Sequence, residues 1–120
     1  MTYESFKVSD EPTQALEAIR SASRAKPVLV FKKSPICPVS HRAEAELNSY
    51  LASLGDDAEL SLVLIDVIAE KPLARGLTAE LDVQHESPQA LWFQGGELDW
   101  HGSHGTLTKE RFSELAAGAR

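Results

Sequence analysis

The chain has 120 residues, of which 42% are hydrophobic and 25% charged, and its formal net charge is −6; we expect one globular domain over residues 1–120. The chain has only 12 Lys and Arg compared with 18 Asp and Glu. Because binding to phosphates requires clustered basic residues, we expect no binding to nucleic acid or to an anionic membrane surface. No apolar run approaches the ~20 residues of a membrane span and no apolar signal core follows Met1, so we expect a cytoplasmic protein.

Helices and buried strands alternate along most of the chain. Unbroken apolar runs predict strands that are covered on both faces, whereas apolar residues spaced three and four apart predict amphipathic helices. Gly95-Gly96 between two short strand patterns is typical of a hairpin. After an extended lead-in at 1–9, the predicted elements are a helix at about 11–25, a strand at 28–32, a helix from 38 to about 54, a strand at 60–65, a helix from about 72, strands at 89–94 and 97–101, and a helix from 108.

This order of elements predicts an α/β fold. Strands joined through helices run parallel with right-handed crossovers, whereas the two hairpin strands run antiparallel. The product is a four-stranded mixed sheet flanked by helices, with an extra N-terminal helix. With Cys37 after the first strand and Pro88 opening the third, the order resembles the thioredoxin fold. That resemblance implies a cis Pro88 beside the sulfur of Cys37.

Cys37 is the one cysteine of the chain, and it lies between a strand and a helix. Pro38 suits the first helical position, where its missing N–H is no loss. Cys37 would then lie at the helix N-terminus, where free backbone N–H groups and the helix dipole favour a thiolate. We therefore expect a nucleophilic sulfur, the alternative being a buried and inert cysteine. With one cysteine, any disulfide must form with another protein or a small thiol.

The segment Cys37-Pro38-Val39-Ser40 lacks the second cysteine of a Cys-x-x-Cys motif. Together with four other segments it resembles the YtxJ-like monothiol bacilliredoxins, the bacilliredoxin C family. Pro35-Ile36 and Gly105 depart from that family's pattern. The other matching segments are Phe31-Lys32-Lys33-Ser34, Asp66-Val67, His85-Glu86-Ser87-Pro88-Gln89 and Trp100-His101-Gly102-Ser103-His104.

The resemblance implies a thiol–disulfide oxidoreductase that removes bacillithiol, a cysteine–glucosamine–malate thiol, from S-bacillithiolated client proteins. The Cys37 thiolate would attack the bacillithiol sulfur and become a Cys37–bacillithiol mixed disulfide. Bacillithiol as co-substrate, or another low-molecular-weight or protein thiol, would then regenerate Cys37. Ser40 would donate a hydrogen bond to the thiolate, or would simply be a polar residue of the first helical turn.

Several residues are candidates for binding the thiol ligand. The backbone of Ser87, ahead of Pro88, would pair with an extended ligand, although Pro88 could instead only open an edge strand. The two carboxylates of malate require donors near the motif loops. The candidates for this contact are Lys33, His41, Ser103 and His104. For His41 and His85 a solvated surface position is the simpler expectation.

Three other functions are compatible with parts of the sequence. His85, His101 and His104 with Cys37 could form a zinc site, although we expect no metal. A monothiol glutaredoxin-like module that binds an iron–sulfur cluster is another alternative, but the Cys-Gly-Phe-Ser expected there is missing. The third is a redox-inactive interaction domain with the thioredoxin fold, which the reactivity of Cys37 at neutral pH would distinguish from an enzyme.

Overall fold

Five strands and four helices make up the fold in the computed structural model, which describes residues 3–55 and 59–118. A short 3₁₀ turn, His104–Thr106, precedes the last helix. In chain order the strands and helices are β1 Glu4–Ser5, α1 Pro12–Ala22, β2 Val28–Lys33, α2 Pro38–Ala52, β3 Ser61–Asp66, α3 Lys71–Glu80, β4 Gln89–Gln94, β5 Glu97–Ser103 and α4 Lys109–Ala117.

The strands form one mixed sheet in the order β1-β3-β2-β4-β5. The strands β1, β3 and β2 are parallel, and β4 and β5 are antiparallel to their neighbours. The sheet therefore has five strands where the sequence predicted four, because part of the extended lead-in pairs with the edge of β3. The amides of Glu4 and Phe6 donate to the carbonyls of Leu60 and Leu62, each at 3.0 Å. A two-residue strand is too short to show any periodicity.

The apolar run of β2 is covered on both sides. Successive side chains of a strand point to opposite faces, so Val28 and Val30 pack with α1 and α3 while Leu29 and Phe31 pack with α2 and α4. All four side chains have 0% exposure. The predicted arrangement of helices on both faces is confirmed, and the N-terminal helix α1 ends at Ala22 instead of near residue 25.

The hairpin and the last helix also follow the sequence prediction. Gly95 and Gly96 have φ values of +64° and +87°, and this left-handed backbone favours glycine. Helix α4 is capped by Thr108, whose Oγ1 accepts from the Arg111 amide at 3.1 Å. Strand β5 extends to Ser103, two residues beyond the predicted end, because pairing with β4 continues to Gln89.

Candidate active site around Cys37

Cys37 occupies the N-cap position of α2 and is partly exposed. Its backbone is extended, with φ −101° and ψ 121°, and Pro38 is the first helical residue. The Cys37 carbonyl accepts from the His41 amide at 3.1 Å, which is the first turn of the helix. The predicted strand-to-helix turn is therefore confirmed, and the sulfur lies where free helix N–H groups favour an anion.

The loop ahead of Cys37 is fixed by two side chains from the first turn of α2. The Ser34 amide donates to Ser40 Oγ at 2.8 Å, and His41 Nε2 lies 2.9 Å from the Pro35 carbonyl oxygen. Ser40 is fully buried. Among the described contacts its oxygen is an acceptor, and none of them joins it to Cys37 Sγ. The structure therefore gives Ser40 a positioning role that sequence reasoning did not find.

The Ser87–Pro88 peptide bond is cis, as the resemblance to the thioredoxin fold implied. Ser87 lies in the same groove as Cys37. Its hydroxyl oxygen is buried, and it has no hydrogen-bond partner among the described residues. The Pro88 carbonyl accepts from the His104 amide at 3.2 Å, which ties the turn after β5 to this loop.

The thiol opens into a groove of about 560 Å³ between its own loop and helix α3, which we call the α3 groove. Apart from the thiol, the ionisable side chains that line it are Lys71, Arg75 and His85. All three are basic groups. The remaining lining residues are Ser34, Ile36, Val67, Ile68 and Ser87.

The other predicted binding residues are distributed over different surfaces. His104 and Pro38 line a second groove of about 490 Å³, together with Arg42 and Glu46.

The ammonium of Lys33 forms an ion pair with Glu44 at 3.0 Å. Ser103 lies in a third groove along β5. The structure therefore groups Ser87 with the thiol, and it places Lys33, Ser103 and His104 outside the α3 groove.

The histidines of the zinc alternative are not clustered. His85 lines the α3 groove, His101 lines the groove along β5, and His104 lines the groove beside Pro38. Within residues 3–55 and 59–118 there is no group of three or more His, Cys, Asp or Glu side chains that could hold a metal ion.

A buried lysine lies behind the α3 groove. Lys32 continues the face of Val28 and Val30 at the end of β2, and its side chain has 0% exposure. Its Nζ lies 2.6 Å from Gln89 Oε1 and 2.7 Å from His85 Nδ1. Burial, with a further contribution from the positive charge of Arg75, lowers the pKa of Lys32 to about 7, against the opposing effect of Glu86.

Two residues of the segment 85–89, His85 and Gln89, contact the buried lysine and are part of a buried polar network. His85, expected on the surface, is half-buried, and burial and the Lys32 charge lower its pKa. Gln89 Oε1 also accepts from the Glu86 amide at 3.3 Å, and its Nε2 donates to the Gln84 carbonyl at 2.9 Å. A lysine at an inward position of a buried strand was the signal in the sequence that could have indicated this network.

Known structures resemble this one over nearly the whole chain. A candidate oxidoreductase with a thioredoxin fold is 29% identical, covers 97% of this chain and 94% of its own, and gives a TM-score of 0.70. Thioredoxin from Fasciola hepatica is 14% identical, with 96% of this chain and 100% of its own covered, at a TM-score of 0.64. Trxlp from Edwardsiella tarda EIB202 is 21% identical, with coverage of 98% and 99%, at a TM-score of 0.64.

The fold, the cis proline and the cysteine at the start of α2 define a thioredoxin-fold protein with a thiol–disulfide redox role. The family model described as monothiol bacilliredoxin BrxC matches residues 10–112. The chain therefore belongs to the monothiol bacilliredoxin BrxC family. No helix in the described part of the chain is long and apolar enough to cross a membrane.

Proposed function

We propose that this protein removes bacillithiol from S-bacillithiolated protein cysteines, with Cys37 as the nucleophile. The observation that carries the proposal is the position of Cys37, the one cysteine of the chain, at the start of α2 within the segment that the family model matches. Ser40 occupies the position where a dithiol motif would have its second cysteine. A cytoplasmic site of action fits this chemistry, because low-molecular-weight thiols keep cysteines reduced there.

The reaction is a thiol–disulfide exchange in two steps. The Cys37 thiolate attacks the bacillithiol sulfur, a new S–S bond forms, and the protein–bacillithiol S–S bond breaks. The client leaves as a thiolate, which takes a proton from solvent. A second bacillithiol thiolate then attacks the bacillithiol sulfur of the adduct, which releases Cys37 and a bacillithiol disulfide. In the net reaction one free bacillithiol thiol is oxidised to the disulfide level and the client sulfur is reduced to a thiol, while the transferred bacillithiol sulfur stays at the disulfide level.

The surface around Cys37 fits a protein client. Three large apolar side chains near Cys37 are exposed: Ile36 and Ile68, which line the α3 groove with the thiol, and Val39, two residues after it, are 79%, 51% and 46% exposed. Apolar side chains grouped in this way on a surface are typical of protein contact sites. The backbone of Ser87, ahead of the cis proline, is the candidate for pairing with the extended segment around the modified cysteine.

The test is the removal of bacillithiol from a client protein with one modified cysteine, followed by intact-mass spectrometry. The wild-type protein should release the unmodified client, and bacillithiol should be transferred to Cys37. The same client with glutathione at that cysteine serves as the comparator. Faster removal of glutathione than of bacillithiol would contradict the proposed substrate, and removal of neither would contradict the proposed activity.

A further inference from the structure

We propose that Lys71 and Arg75, on helix α3, form the subsite that binds the carboxylates of the low-molecular-weight half of the mixed disulfide. This assignment deepens the proposed function, and the identification of these carboxylates with the malate of bacillithiol rests on it. The site lies in the α3 groove, beside Cys37 and Ser87.

The charge of the α3 groove is the first argument. Lys71 and Arg75 are four residues apart, so their side chains lie on the same face of α3. Both are exposed, and within residues 3–55 and 59–118 neither forms an ion pair. The α3 groove is therefore lined by the thiol and by two cationic side chains that are unpaired in the described part of the chain, and none of its lining residues there is a carboxylate.

Asp66 and Glu70, the carboxylates that flank Val67 and Ile68 along the chain, accept hydrogen bonds from backbone amides. Asp66 Oδ1 accepts from the amides of Ile68 and Ala69 at 2.8 and 3.0 Å, and Glu70 Oε1 accepts from the Asp66 amide at 3.1 Å. Glu86 lines the groove along β5 instead. These contacts leave Lys71 and Arg75 available for a carboxylate of a ligand.

A third observation points to a ligand in the same groove. Ser87 Oγ is buried without a partner in the described part of the chain, and a buried hydroxyl that lacks a partner is energetically costly. A ligand joined to Cys37 through a disulfide would bring polar groups to this hydroxyl. The groove volume of about 560 Å³ lies in the range of small-molecule sites.

The other basic residues near Cys37 are weaker candidates. Lys33 is paired with Glu44, and Arg42 shares its groove with Glu46. An arginine can hold one carboxylate through two parallel hydrogen bonds, while a lysine provides a point charge for a second. Arg75 and Lys71 together thus suit a dicarboxylate such as malate.

The first experiment tests the charge preference without bacillithiol. The rate of reaction of Cys37 is measured with two aromatic disulfides, the dicarboxylate dithiobis-nitrobenzoate and the uncharged dipyridyl disulfide. The ratio of the first rate to the second is independent of any change in the intrinsic reactivity of the thiol, because such a change affects both rates equally. Arg75→Gln combined with Lys71→Gln should lower the ratio by about tenfold at low salt, and the loss should shrink at high salt.

Arg42→Gln is the control, since Arg42 lines the groove beside Pro38 and not the α3 groove. It should leave the ratio unchanged. An unchanged ratio in the α3 double variant would overturn the proposal, as would an equal loss in Arg42→Gln, which would indicate a general effect of surface charge.

The second experiment separates this proposal from the proposed function. Each variant is assayed on one client protein that has either bacillithiol or uncharged 2-mercaptoethanol at its cysteine. The α3 double variant should lose about tenfold in kcat/KM on the bacillithiol client and keep its rate on the other. Equal losses on both clients would overturn the subsite. A wild-type protein that shows the charge preference with the aromatic disulfides but does not act on the bacillithiol client supports the anion subsite and contradicts the proposed function.

Discussion

Cys37 and Ser40 have different roles in the proposed mechanism, so their substitution should have different effects. Cys37→Ser should abolish the removal of bacillithiol, because a hydroxyl is far less acidic than a thiol. Ser40→Ala should only slow it. The Ser34 amide would lose its acceptor, at a cost of about 1–3 kcal/mol in the free energy of unfolding. Single-turnover intact-mass measurements and urea denaturation check both effects.

Ser49→Ala is the control for this comparison, since Ser49 lies on the exposed side of the same helix. It should leave both activity and stability unchanged. If Ser40→Ala eliminates the reaction as completely as Cys37→Ser, Ser40 takes part in the chemistry and its assignment as a positioning residue is wrong.

Lys32 should make stability depend on pH. Its pKa falls from 10.5 to about 7 on folding, so between these values the unfolded chain holds more protons than the folded one. The free energy of unfolding should therefore rise with pH across this window, by up to about 1.4 kcal/mol per pH unit. Below about pH 7 both states are protonated, and the full cost of burying the charge remains.

Lys32→Met should remove this rise, which urea denaturation at several pH values between about 7 and 9 can measure. Lys33→Met is the matched control, because Lys33 is half-buried and paired with Glu44. In Lys33→Met the free energy of unfolding should rise with pH as steeply as in the wild type. Identical slopes for wild type and Lys32→Met would contradict the lowered pKa of Lys32.

At the scale of elements, the packing of α1 against α3 depends on Gly76. A Cβ at this position would lie 2.7 Å from Pro12 Cβ, and even closer to Pro12 Cγ. Gly76→Ala should therefore destabilise the protein, since overpacking costs about 1–3 kcal/mol while the better helix propensity of alanine returns about 1 kcal/mol. Urea denaturation should show a net loss of about 1 kcal/mol in the free energy of unfolding.

Gly105→Ala provides the control for Gly76→Ala. A Cβ at Gly105 would meet no atom within 4 Å, and the residue is exposed. Its stability should match that of the wild type. If Gly76→Ala is as stable as Gly105→Ala, α1 and α3 can move slightly apart at no cost in free energy. The close approach of Gly76 to Pro12 then does not contribute to stability.

At the scale of the whole molecule, a single cysteine predicts a stalled intermediate. Without a second thiol, the wild-type protein should accumulate as the Cys37–bacillithiol adduct, which intact mass detects after one turnover. Ser40→Cys should release bacillithiol without any added thiol, because residues three apart on a helix share a face and come close enough for a disulfide. Release of bacillithiol by the wild type alone would contradict the monothiol mechanism.

Local patterns in the sequence determined most of the fold. The buried runs at 28–32 and 60–65, the helical spacing from 38 onward and the Gly95-Gly96 turn were sufficient for the α/β class and the strand directions. Cys37 before Pro38 indicated the helix start, and the resemblance implied the cis bond at Pro88. These features depend on neighbouring residues or on a recognised motif, so they could be predicted without knowledge of the tertiary structure.

Only the tertiary structure decided which side chains surround the thiol. Lys71 and Arg75 line the α3 groove because β3 and β2 pair in parallel, which brings the start of α3 beside the loop after β2. The same packing buries Lys32 against His85 and Gln89. Lys33, which the sequence analysis predicted to bind the malate carboxylates, forms an ion pair with Glu44 instead. Such contacts join residues from distant parts of the chain, and no local periodicity specifies their distances.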